Sequence, residues 1–103
     1  MIRHLVFLNY AEDVTQSTKD ALMRDLEALR EEIDGVMAFH ARPNLSPETP
    51  LVHGLTEMFW IDFRDAEARD AYLANETHKA IGARIMDSLD GGPNGIFVCD
   101  VEV

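Results

Sequence analysis

Two segments of this chain, Ile2 to Tyr10 and Leu55 to Phe63, alternate at strand spacing and yet are apolar on both faces at their centres. In the first, Ile2, His4, Val6, Leu8 and Tyr10 share one face, and Leu5 and Phe7 occupy the other. In the second, Leu55, Glu57, Phe59, Ile61 and Phe63 oppose Thr56, Met58, Trp60 and Asp62. Such strands are unfavourable in water unless both faces are covered, which places each of them at the centre of a sheet.

The rest of the chain alternates between helical and extended patterns. From Val14 to Ile33 the apolar positions Val14, Leu22, Leu26, Leu29 and Ile33 recur at helical spacing, with Thr15 or Ser17 able to cap the start and Gly35 suited to the position past the end. Val36 to Arg42 reads as a strand, followed by a loop from Pro43 to Pro50 in which three prolines argue against regular structure. Asp65 can cap a helix through Ala68, Ala71 and Tyr72 that breaks near Asn75. Thr77 can cap another, whose apolar stripe is His78, Ile81, Ile85 and Leu89. Asp90 to Gly95 ends it, and Ile96 to Val103 alternates as a last strand.

The order strand, helix, strand, strand, helix region, strand predicts an α+β fold: a ferredoxin-like βαββαβ subunit with a four-stranded antiparallel sheet and the first and third strands central. The helices can cover one sheet face only. An apolar face left open is an association surface, so a second copy of the chain, paired as a homodimer, is the expected partner.

At 103 residues the chain makes one domain, residues 1–103, with room for a single core. No apolar run approaches the ~20 residues that cross a bilayer, and the start lacks the apolar stretch of a signal peptide, so a cytoplasmic location is expected. Nine basic against nineteen acidic residues give a formal charge of −10, which argues against nucleic acid and anionic membranes as partners. The single Cys99 excludes an internal disulfide, and its apolar strand context predicts a core position.

Residues able to transfer protons are few: four histidines, two tyrosines and one cysteine. Tyr72 and His78 lie six positions apart across the predicted helix break. An imidazole in the first turn of a helix is disfavoured as imidazolium by the positive end of the dipole, which suits His78 to act as a base. Tyr72 could donate a hydrogen bond to a developing oxyanion. His4, on the apolar face of the first strand, and Glu57 and Phe59, on the third, are candidates for the wall of the same pocket. Glu57 must be paired or sit at a wet strand end, because a lone carboxylate on an apolar face costs several kcal/mol. No His-x-x-x-His motif is present, so a metal site would require His4, His78 and Glu57 to converge; no metal and no cofactor are expected. Met58, Phe59 and Trp60 are most economically core and dimer face, and His40 and His53 flank the proline loop at the surface.

Taken together, Met1 to Val6, Asn44 to Glu48, Asp62-Phe63 through Ala66 to Tyr72, and His78 resemble the stress-responsive A/B barrel (Dabb) domain family over essentially the whole chain. The resemblance implies a ferredoxin-like subunit paired into a dimeric α+β barrel. A plant member, olivetolic acid cyclase, closes a linear polyketide by aldol condensation. By that resemblance, His78 matches its general base, Tyr72 matches a tyrosine that binds and polarises the substrate, and His4 matches a histidine lining the pocket. This chain departs at Glu57, where the cyclase has a histidine, and at Asn75-Glu76, which replaces His-Pro.

Two functions follow. One is a cofactor-independent cyclase or lyase acting on a small carbonyl compound, with His78 as base and Tyr72 as donor in a cavity of ~300 Å³ or more. The other is a non-catalytic, stress-associated structural or binding dimer, packed densely around His78.

Overall fold

Four strands form one antiparallel sheet in the computed structural model, which describes residues 1–103. They are β1 (Ile2–Leu8), β2 (Val36–Pro43), β3 (Glu57–Phe63) and β4 (Ile96–Glu102), in the spatial order β2-β3-β1-β4. The two strands that are apolar on both faces are thus the two central ones. Register assigns the faces: His4 pairs with Ile61 and Asp100, Val6 with Phe59 and Val98, and Leu8 with Glu57 and Ile96.

That face carries the helical layer, α1 (Gln16–Glu27), α3 (Ala66–Ala74) and α4 (Glu76–Asp87). The Thr15 hydroxyl caps α1 by accepting from the Thr18 N–H at 3.1 Å. The helix buries Leu22 and Leu26 and tightens into a 3₁₀ turn over Ala28–Glu31, so the predicted single helix to Ile33 is in fact two pieces. Leu29 and Ile33 still reach the core, because the turn keeps them on the same side. Gly35 then adopts φ +93°, and a Cβ there would lie 2.7 Å from the Ala68 side chain. The chain can pass this close to α3 only without a side chain. Asp65 caps α3 by accepting from the Ala68 N–H at 2.9 Å.

Two local expectations are corrected. The N-cap of α4 is Asn75, whose side-chain oxygen accepts from the His78 N–H at 2.8 Å, while the Thr77 hydroxyl turns outward to Glu32. Asn75 also closes α3, so it is the single joint between two helices. Across the end of the proline-rich loop a one-turn helix, α2 (Thr49–Val52), does form. Pro50 falls in its first turn, where no intrahelical N–H is needed.

The opposite sheet face has no covering layer. Register places Leu5, Phe7, Met58, Trp60, Phe97 and Val101 there, and Phe97 is 55% exposed. Arg3 donates two hydrogen bonds to Asp62, at 2.8 and 3.1 Å, and His40 packs against Trp60 with ring centroids 5.1 Å apart. Cys99, expected in the core, lies half-buried on this second face because it pairs with Leu5, not with a helix-facing position. No helix is long and apolar enough to cross a membrane.

Candidate functional site

Between the sheet and the α3–α4 pair lies a cavity of about 440 Å³. His4 reaches it from β1, Phe59 from β3, Tyr72 and Leu73 from α3, His78 from α4 and Asp100 from β4. Tyr72 sits near the end of α3 and is only 1% exposed. Because Asn75 ends one helix and starts the next, the six-residue separation from Tyr72 to His78 folds back on itself. The two rings lie 3.9 Å apart between centroids, at 36°. His4 meets Tyr72 edge-on at 5.8 Å, and Phe63 backs Tyr72 at 5.2 Å. His4, Tyr72 and His78 therefore share one wall, whereas Tyr10 lines a separate groove.

The electrostatics give each group a distinct character. His4 Nδ1 lies 2.6 Å from Asp100 Oδ1. A carboxylate can only accept, so Nδ1 carries the proton and Nε2 is left for other partners. The other Asp100 oxygen accepts from Arg69 at 2.6 Å, and Arg69 in turn donates to Asp70 at 2.7 Å. Burial raises the Asp100 carboxyl, but the hydrogen bonds from His4 and Arg69 outweigh it and hold the group below the usual carboxylate range. Burial is also the main influence on His78. Together with the charge on His4 it lowers the imidazole below its ordinary value, against an opposing contact with the Tyr72 carbonyl. His78 Nδ1 is buried without a well-formed hydrogen bond. Burial pushes the Tyr72 phenol well above its ordinary range, so it stays protonated as a donor.

Glu57 does not belong to this wall. It lies two residues before Phe59 on the same face, and a strand advances about 3.3 Å per residue, which carries it toward the far end of the sheet. There it accepts from Lys19 Nζ at 2.6 Å, in a separate groove of about 300 Å³ with Tyr10, Gln16 and Arg42. The carboxylate on an apolar face is thus both paired and partly wet, its side chain 31% exposed. His4, His78 and Glu57 do not converge, and no group of three or more His, Cys, Asp or Glu side chains is placed to hold a metal ion.

The family model for the stress responsive A/B barrel domain matches residues 2–103. The chain belongs to the stress responsive A/B barrel (Dabb) family. Among solved structures, a dimeric ferredoxin-like protein of unknown function from Jannaschia sp. is 30% identical, with a TM-score of 0.88 over 99% of this chain and 98% of that one. A protein from Arabidopsis thaliana is 24% identical, with a TM-score of 0.87 over 100% and 95%. A hydroxynitrile lyase from Passiflora edulis shares the fold at 16% identity, with a TM-score of 0.81 over 99% and 92%. No curated protein sequence matches the chain.

Three residues around this cavity carry no local signal in the sequence. Asp100 and Arg69 look like surface charges until the pairing of β1 with β4 sets Asp100 opposite His4. Gly82 is a third: it lies on α4 one turn beyond His78, lines the cavity, and has open space where a Cβ would stand.

Proposed function

We propose that this Dabb domain carries out cofactor-independent proton transfer on a small carbonyl compound, in the manner of a polyketide cyclase or a lyase. The observation that carries the reading is the convergence of His78, Tyr72 and His4 on one cavity. A neutral His78 accepts the α-proton, the C–H electron pair moves into the enolate, and Tyr72 donates a hydrogen bond to the enolate oxygen. The enolate carbon then attacks a second carbonyl, and the protonated His78 returns its proton. In the lyase variant His78 takes the hydroxyl proton of a cyanohydrin, the carbonyl forms as the C–C bond breaks, and the cyanide that leaves with the bond's electron pair takes the proton back from His78. His4, held by Asp100, lines the pocket and steadies the polar end of the substrate. The open volume beside His78 disfavours the alternative, a dimer packed solid around that ring.

The test is turnover of a linear β-polycarbonyl probe and of an aromatic cyanohydrin, followed by chromatography, with a thermal-shift screen in parallel. Product is expected from one of the two probes, with His78→Ala lowering the rate by about 10²-fold or more and Tyr72→Phe by about 10²-fold. A rate unchanged in His78→Ala rejects His78 as the base.

We further propose that two copies pair through the open sheet face, as the dimeric description of the Jannaschia relative suggests. The charge of −10 disfavours nucleic acid and anionic lipid as additional partners.

A further inference from the structure

The cavity is sharply divided by polarity. Its polar atoms gather at one end, on His4, Tyr72, His78 and Asp100, while Val6, Phe59, Ile85, Met86, Ile96 and Val98 make the remainder hydrocarbon. No lysine or arginine lines it. The one carboxylate, Asp100, has both oxygens engaged, by His4 and by Arg69, and the Arg69 guanidinium is divided between Asp70 and Asp100. The cations of the neighbouring helix layer are engaged elsewhere, Lys19 with Glu57 in the other groove and Arg84 with Asp25 on the surface.

We infer that the ligand of this cavity is electrically neutral: an aldehyde, a ketone or an uncharged adduct of one, with a hydrocarbon body and no carboxylate, phosphate or phosphopantetheine-type anion. The inference rests on the proton-transfer reading for the orientation of the carbonyl, toward Tyr72 and His78. A ligand carboxylate would have to leave water for a site whose own carboxylate is already present and whose nearest cation is already neutralised, and an unpaired buried charge is costly. A proton shared between His4 and Asp100 is balanced within that pair, and burial keeps His78 from supplying a further positive charge. The net charge of −10 repels anions at longer range as well. A neutral carbonyl meets donors at the polar end and apolar side chains elsewhere, the usual division of labour in a small-molecule site.

The experiment compares a medium-chain β-diketone with the same chain ending in a carboxylate, by titration followed in protein NMR spectra, at low and at high salt. The diketone is expected to bind at least about tenfold more tightly, a preference of about 1.4 kcal/mol. The gap should persist at high salt, since screening removes the long-range repulsion but not the desolvation of the carboxylate. Gly82→Leu, which fills the open space beside His78 without meeting other atoms at its Cβ, should abolish binding of the diketone while circular dichroism stays that of the wild type. Val98→Lys places a cation at the mouth, where Val98 is 50% exposed, and should bring the carboxylate analogue to within about threefold of the diketone. Equal affinity for the two probes in the wild type, or binding untouched by Gly82→Leu, overturns the inference. Selective binding of the diketone without turnover of any probe supports the neutral ligand and counts against the proton-transfer reading alone.

Discussion

His78 draws its chemical character from three local conditions: the third position of a capped helix, half-burial, and a phenol stacked on its ring at 3.9 Å. Burial and the helix N-terminus favour the neutral imidazole. The consequence for stability has a definite sign. The folded-state pKa lies below that of the unfolded chain, so between the two values the unfolded chain binds the extra proton. The contribution of His78 is complete above the ordinary imidazole pKa of ~6.5 and is lost as pH falls through the lower, folded value. Urea midpoints measured from about pH 8 to about pH 5 should decline in the acid half of the range, and less steeply in His78→Gln. The acid limb of kcat/KM should likewise lie below ~6.5, with His4, Tyr72 and Asp100 the groups facing the ring. A limb above that value would mean the imidazole is stabilised as a cation.

At the level of elements, the site depends on one asparagine joining two helices. Asn75 accepts from the His78 N–H, which both satisfies an orphan donor of α4 and holds the backbone that presents the imidazole. Asn75→Ala should cost about 1 kcal/mol by urea denaturation and lower kcat as the ring loses its fixed approach to Tyr72. Thr77→Ala, at the position whose hydroxyl only reaches Glu32 at 3.4 Å, should stay within about 0.5 kcal/mol of the wild type. Equal losses in the two variants would show that the cap is shared. The break in the helical pattern near Asn75 is visible in the sequence, but Asn75 and Thr77 are both good N-caps. Only the position of the chain leaving α3 decides between them.

For the whole molecule the outstanding feature is the uncovered sheet face. Phe7 and Phe97 lie 6.0 Å apart there, and Trp60 lies against His40, so the surface is a cluster of large apolar rings bordered by the Arg3–Asp62 ion pair. A chain of 11.6 kDa is expected to sediment at twice that mass. Phe97→Glu should shift the population to the monomer and lower Tm, because Phe97 is already 55% exposed in the single subunit and its substitution leaves the core untouched. A dimer that survives Phe97→Glu and Trp60→Glu together would have to use another surface.

What the sequence determined by itself is the part governed by local periodicity: which strands are central, that Asp65 starts a helix, and that Tyr72 and His78 sit at a helix break. Those features arise from residues two to four positions apart, where the pattern of side chains dictates the backbone. The tertiary structure decided the rest. Asp100 becomes the partner of His4 across 96 positions of sequence, Glu57 is carried away from the cavity to Lys19, and Cys99 turns to the open face. Each outcome depends on cross-strand register, and a shift of one residue would send every one of these side chains to the other face of the sheet.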